Sequence, residues 1–443
     1  MIKTNVFRSL TALIFMLFLP GAIFPQNLQK LAEAELPNLT SLYKEFHASP
    51  EVSYFEKNTS ALFARELEAA GFEVTYPVGK YPDNTHICYG VVGILRNGPG
   101  PVILVRTDMD ALPVEEKTGV PYASRVRMKD ITGDEIPVMH ACGHDLHMTI
   151  LLGAAKVLFR IKDRWRGTLI MIGQPAEERG GGARAMLAGG LYERWPVPDF
   201  ALAGHVDPSL EAGQVGYCPG YAMASVDMLD IIIKGIGTHG AAPHLGRDPI
   251  VISAQVINAL QTIVSREINP VEPAVVTVGS IHGGTKHNII PEEVRMQLTV
   301  RAFNKDVREQ ILKAIERITV NTARAAGVPE DRLPVVTGSL EANPALYNDP
   351  GLVDSTVKAF RAELGEEKVK REEPQTVGED FTEYGLTGNK VPIFMFRVGT
   401  SEPGSDPSKR PILHSPYYIP VLEQSVSNGI RAMAAAVINL MKK

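Results

Sequence analysis

Asp108 and Asp110 stand two residues apart, directly after the apolar run Val102–Val105. In extended chain they project from the same side; an acid-rich turn is the plainer alternative. Further on, His140-Ala141-Cys142-Gly143-His144-Asp145 places a thiol and an imidazole in one loop before an apolar helix. Zinc accepts both donors, and the pair disfavours magnesium and calcium. A helix N-terminus beside the loop favours the thiolate. Taken alone, Cys142 and His144 read more readily as a small buried hydrophobe and a helix cap. Gln174-Pro175-Ala176-Glu177-Glu178 follows another predicted strand. In a loop, one of two adjacent carboxylates can ligate a metal while the other holds a proton, which is what metal-assisted hydrolysis requires. Alone, the pair fits a solvated first helical turn better.

His205 follows a further predicted strand, in Gly204-His205-Val206-Asp207-Pro208, and His414, in Leu413-His414-Ser415-Pro416, comes after a last strand and a polar loop. A lone histidine is more often a structural hydrogen-bonder. The combination changes the reading. Four blocks sit after strands or just before a helix, and open α/β sheets gather ligands outside the carboxyl ends of their strands. Cys142, His144, Glu178, His205 and His414, with Asp108 and Asp110 near, are enough for two metal ions. Gly237-Thr238-His239-Gly240-Ala241-Ala242-Pro243-His244 is a small-residue loop that could approach a substrate and stabilise an oxyanion, or simply connect two domains. Asn288, near His282 and His287, is a weaker candidate substrate contact. His47, His86 and His147 show no partner pattern and receive no role.

The elements that must position these groups alternate. Helices are predicted over 28–46, 57–70, 144–161 and 180–190, and strands over 72–76, 86–96, 101–107, 168–173, 200–205 and 213–218. This order predicts an α/β fold with a mainly parallel central sheet and helices on both faces. Near residue 222 the pattern changes to strand 225–234, helix 248–268, strands 274–280 and 294–303, helix 307–326 and strand 333–337. That is the strand-helix-strand-strand-helix-strand order of ferredoxin-like α+β modules. The expected division is 27–221 and 341–443 for the larger domain, with 222–340 inserted. A strand over 391–398 and a helix over 423–441 close the chain.

The 443 residues suit two or three domains. Apolar residues make up 44% and charged residues 21%, which argues against long disorder or a polytopic membrane protein. A net charge of −5 argues against nucleic acid as a partner. Residues 1–26 read as a secretion signal, with Lys3 and Arg8 before the apolar stretch Leu10–Phe24. A retained membrane anchor is the rival; signal removal leaves a secreted or periplasmic protein with no membrane contact. Three cysteines are too few for a disulfide scaffold, and export would leave at least one without an internal partner.

Together these blocks resemble the aminoacylase and carboxypeptidase-like family of dinuclear metallopeptidases, in the branch of hippurate hydrolases, N-acyl-amino-acid amidohydrolases and auxin-conjugate hydrolases. The matching residues are Asp108-Met109-Asp110-Ala111-Leu112-Pro113, His140 to Asp145, Gln174 to Glu178, His239-Gly240-Ala241 with Pro243-His244, and Asn288-Ile289-Ile290-Pro291. The resemblance implies two divalent ions per subunit, zinc before manganese, cobalt or nickel, on Cys142, His144, Glu178, His205 and His414. It implies Glu177 as general base, Asp110 orienting a ligand, His239 steadying an oxyanion in its own site or across a homodimer, and Asn288 and His244 near the substrate. It makes the inserted module a lid and dimerisation domain. Thr107 and Gly173 depart from the branch, which commonly has Ala and a bulky residue there; Gly173 is expected to widen the acyl pocket.

The expected activity is cleavage of an N-acyl amino acid to a carboxylic acid and a free amino acid. A dipeptidase or carboxypeptidase is the alternative, and it needs an acceptor for a free α-amine. A secreted ligand-binding protein without turnover is the alternative of another class.

Overall fold

The computed structural model describes residues 25–339 and 341–442. The proposed signal therefore lies almost wholly outside the described residues. Among these, no helix is long and apolar enough to cross a membrane.

Eight strands form the larger sheet, in the order Glu73–Val78, Gly90–Asn97, Gly167–Gln174, Val102–Asp108, Phe200–Glu211, Ile393–Ser401, Val215–Tyr217, Val369–Arg371. The four central strands, Gly167–Gln174 to Ile393–Ser401, are mutually parallel. They are buried almost throughout, apolar in their first halves, as strands covered on both faces must be, and polar toward their carboxyl ends. Their carboxyl ends lie together, which brings Asp108 into register with Gln174 and His205 with Arg397.

The two faces are covered unequally. One carries helices Pro25–Ala48, Lys57–Ala69, His144–Arg160, Pro350–Leu364 and Leu422–Leu440. In the first, Leu28, Ala32, Glu35, Leu39, Leu42 and Phe46 are buried at helical spacing, so a single stripe faces the layer. His144–Arg160 and Leu422–Leu440 are buried nearly all round, which puts them at its centre. The opposite face carries the shorter helices Gly182–Ala188 and Leu191–Arg194 and the 3-10 turn Asp380–Tyr384.

The second sheet has the order Ala274–Gly283, Glu293–Ala302, Asp227–Lys234, Val335–Gly338, all antiparallel. In chain order this is the ferredoxin-like arrangement. Burial alternates along Asp227–Lys234 and Glu293–Ala302, so one face packs under helices and the other is open. The expected helix over 248–268 is α-helical only over Pro249–Thr262, capped by the Asp248 carboxylate, and ends in a π turn, Ile263–Glu267. Lys305–Ala325 is capped by Asn304.

Candidate metal centre and active site

Asp108, at the end of its strand, meets Arg106 from the same strand. The buried Arg106 guanidinium donates to Asp108 Oδ2 at 2.6 Å, Gln174 Oε1 at 3.0 Å, Glu379 Oε1 at 2.9 Å and Asp380 Oδ1 at 3.0 Å. The other Asp108 oxygen faces His147 Nδ1 at 2.6 Å, while His147 Nε2 accepts the Val206 N–H at 2.9 Å. An imidazole nitrogen that accepts cannot carry the proton, so His147 is neutral and donates through Nδ1. Both its nitrogens are used. His147 therefore supports the site without a free ligand atom, although it lies among Asp108, His144 and His205.

His205 has the opposite arrangement. Its Nδ1 donates to the Val206 carbonyl at 2.8 Å, which leaves the Nε2 lone pair free. That atom is 3.7 Å from Cys142 Sγ. Cys142 and His144 flank Gly143, whose φ of +76° and lack of a side chain allow the turn; a Cβ there would sit 2.6 Å from Val206 Cγ2. His144 Nδ1 lies 3.4 Å from Asp110 Oδ1, and its Nε2 is 3.7 Å from Asp108 Oδ2 and 3.9 Å from Glu178 Oε1. His414, largely exposed, brings Nε2 to 3.5 Å from Glu178 Oε1.

Three consecutive backbone amides determine where the glutamates point. Ala176 N–H donates to Glu56 Oε1 at 2.8 Å, Glu177 N–H to Asp110 Oδ1 at 3.1 Å, and Glu178 N–H to Asp110 Oδ2 at 3.0 Å. Ser53 also donates to Asp110 at 2.6 Å. Ala176 takes the left-handed conformation, φ +50°. The turn separates the adjacent side chains. Glu178 groups with Cys142 and His414, and Glu177 with Glu379 and Asp380, while one oxygen of each glutamate also meets His144; the ligand atoms of each group lie within 4.8 Å of one another.

This donor set fits divalent cations. Glu178 Oε1 and both His144 ring nitrogens are buried without a hydrogen bond, a costly state unless something binds them. Burial opposes charge on His144, yet Asp108 and Asp110 outweigh it and raise its pKa to about 10. Burial, against the pull of His144 and helped by Asp110, raises Glu178 to about 7. Burial and the neighbouring Glu379 and Glu178 raise Glu177 well above the carboxylate range. Each shift reports a site short of positive charge. Thiolate, imidazole and carboxylate together suit zinc and its first-row neighbours.

The cluster opens into a cavity of about 480 Å³. Cys142, Glu177, Glu178, His205 and His414 line one side; Met228 and Arg301, from the second sheet, line another. His239, His244 and Asn288 are exposed and do not line this cavity. His239 pairs with Ile289 in a two-stranded ribbon, and Gly240 N–H donates to the Asn288 carbonyl at 2.8 Å. Gly173 does not widen the pocket: a Cβ there would meet Met109 Sδ at 2.6 Å and Phe63 at 2.9 Å, within the packed core.

Several contributors escape sequence reading. His47, buried, binds Asp145 Oδ2 at 2.7 Å and Glu116 Oε1 at 3.0 Å, behind the Cys142 loop. His147, Arg106, Glu56, Glu379 and Arg301 join it. Their partners are mostly distant in sequence, so no local spacing announces them.

Sheet, cleft and donor cluster together define a metal-dependent hydrolase of amide bonds. The chain belongs to peptidase family M20/M25/M40, whose profile matches residues 104–439. It is 36% identical over 365 residues to Thermostable carboxypeptidase 2 of Saccharolobus solfataricus, covering 82% of this chain and 86% of that one. It is 37% identical over 370 residues to N-acetyl-L-cysteine deacetylase of Bacillus subtilis, covering 81% and 79%. The solved structure of the Bacillus subtilis YXEP protein, described as a dinuclear metal binding peptidase from the M20 family, matches with a TM-score of 0.73 at 29% identity. That match covers 92% of this chain and 99% of the other.

Proposed function

We propose that the protein hydrolyses N-acyl amino acids to a carboxylic acid and a free amino acid. Arg301 carries this reading. It is half-buried on the cavity wall, its Nη1 is buried without a partner, and among the described residues its side chain makes no hydrogen bond or ion pair. An uncommitted guanidinium beside the glutamates suits the α-carboxylate of such a substrate. A free dipeptide would also need an acceptor for its ammonium group. The cavity's Glu341 and Glu379 are engaged instead by Arg179 at 2.7 Å and Arg106 at 2.9 Å, which favours the acyl substrate over the dipeptidase alternative.

Two divalent ions, zinc best suited and manganese, cobalt or nickel compatible, held by Cys142, His144, Glu178, His205 and His414, would acidify a water and polarise the amide carbonyl. Glu177 takes the proton of the attacking water and delivers it to the leaving nitrogen. Asp110 holds the turn that aims Glu177. His239, Asn288 and His244, exposed at and beside the two-stranded ribbon, serve a partner subunit's site in a homodimer. The module 222–340 is then both lid and contact surface. Its uncovered edge strand Ala274–Gly283 and the exposed Ile250, Val251 and Ile281 support that role. Export through residues 1–26 rests on the apolar stretch after Lys3 and Arg8.

The test is a panel of N-acetyl, N-benzoyl and indole-acetyl amino acids beside free dipeptides, each with and without chelator. Chelator-sensitive release from the N-acyl compounds is expected. Activity confined to dipeptides would overturn the reading.

A further inference from the structure

A second arginine enters the same cavity. Arg397 lies on strand Ile393–Ser401 in register with His205, so the two side chains leave the sheet on one face, about 4.8 Å apart. Arg397 is only 8% exposed, yet it lines the cavity wall. Its Nη2 donates to Gln375 Oε1 at 3.0 Å. Its Nη1 is 4.0 Å from Asp207 Oδ2, beyond hydrogen-bond reach. Among the described residues, Nη1 and Nε donate no hydrogen bond.

The nearby acids do not saturate this cation. Asp207 accepts the Ser209 N–H at 2.8 Å and faces Gln375 Nε2 at 3.4 Å. Glu372, raised to about 7 by burial and then by Asp207, holds only part of a charge at neutral pH. A nearly buried guanidinium with unused N–H groups is costly unless an anion completes it.

Two sheets thus present two incompletely paired guanidinium groups to one cavity, Arg301 from the second sheet and Arg397 from the first. A substrate with one carboxylate uses one of them. Resting on the amidohydrolase reading above, we infer that the preferred substrate is an N-acyl amino acid bearing a second carboxylate, selected by Arg397. That group is either the side chain of an acidic amino acid or the free end of a dicarboxylic acyl group. Planar, forked donors recognise a carboxylate by two parallel hydrogen bonds, and an amide of the same shape forfeits one of them and the charge.

The experiment compares matched pairs on the metal-loaded protein: N-acetyl-L-glutamate against N-acetyl-L-glutamine, and N-succinyl-L-alanine against its succinamoyl counterpart. In at least one pair, kcat/KM should favour the acid by about tenfold or more, mainly through KM, the size expected for one charge-assisted hydrogen bond. The favoured pair identifies which end of the substrate meets Arg397. In Arg397→Gln the acid-to-amide ratio should fall by about tenfold, and Arg397→Lys should keep part of it. Equal or reversed preference in both wild-type pairs overturns the inference, whatever happens to the folding of the variants. So does an undiminished ratio in Arg397→Gln. Hydrolysis of neutral N-acyl amino acids without acid preference spares the amidohydrolase reading and sinks this one. No hydrolysis of any N-acyl compound sinks both.

Discussion

Asp110 Oδ2 accepts the backbone N–H of Glu178 at 3.0 Å. Its other oxygen takes the Glu177 N–H and lies 3.4 Å from His144 Nδ1. One buried carboxylate therefore sets the turn that separates two adjacent glutamates and also orients an imidazole of the metal cluster. Asp110→Ala should lower metal affinity by about 10- to 100-fold, the usual cost of losing a residue that orients a ligand. It should also lower kcat when metal is saturating, because Glu177 loses its backbone anchor. Metal titration and steady-state kinetics check both. Asp110→Asn, with one acceptor left, should be milder.

Removal of metal should destabilise the protein. Glu178 Oε1 and the His144 nitrogens are buried and make no hydrogen bond. An ion present at about 100 times its Kd contributes about 2.7 kcal/mol to folding. Chelator should therefore lower Tm by a few degrees, zinc should restore it, and Cys142→Ser should blunt the response. A Tm indifferent to chelator in a protein shown to lose its metal contradicts this.

The buried triad Asp145–His47–Glu116 makes a pH prediction. Burial opposes the His47 charge, but Asp145 and Glu116 outweigh it and raise the pKa from 6.5 to about 9. The same contacts hold Asp145 and Glu116 below their ordinary values, against the opposing effect of burial. A raised histidine stabilises fully below its unfolded value and loses that contribution as pH rises through the folded one. The histidine contribution, about 3 kcal/mol, should be present near pH 6 and fade between about 6.5 and 9. The lowered carboxylates give their share above their unfolded values and lose it in acid. His47→Gln strands two buried carboxylates and should cost about 3–5 kcal/mol near pH 6. Its deficit against wild type should shrink by pH 9. Urea unfolding across that range would show a constant deficit if His47 were neutral.

What the sequence reveals follows its range. Cys142, His144, Glu178, His205 and His414 sit in short blocks beside strand or helix ends, so local pattern exposes them, and the parallel sheet brings those ends together. The ferredoxin-like order is legible because its strands and helices follow one another as distinct short segments, and burial alternates along Asp227–Lys234 and Glu293–Ala302 as half-buried strands require. His47 was silent because its partners lie 69 and 98 residues away. Arg106 reaches Glu379 across 273 positions, and His147 has one partner that is a backbone N–H. His239 and Asn288 carry a recognisable motif, but the chain leaves them exposed at the two-stranded ribbon, away from the cavity, a placement that spacing does not encode. Gly173 suggests pocket space from its position at a strand end but is core packing, since its neighbours Phe63 and Met109 come from other segments.

The central claim is that Glu178 serves the metal cluster while its neighbour Glu177 moves the proton. The most direct test is Glu177→Gln, measured for bound metal by elemental analysis and for turnover on an N-acyl amino acid that the wild type cleaves. The account predicts wild-type metal content, KM within a few-fold and kcat lower by about 10²- to 10⁴-fold. Undiminished turnover, or loss of metal in step with activity, would contradict it.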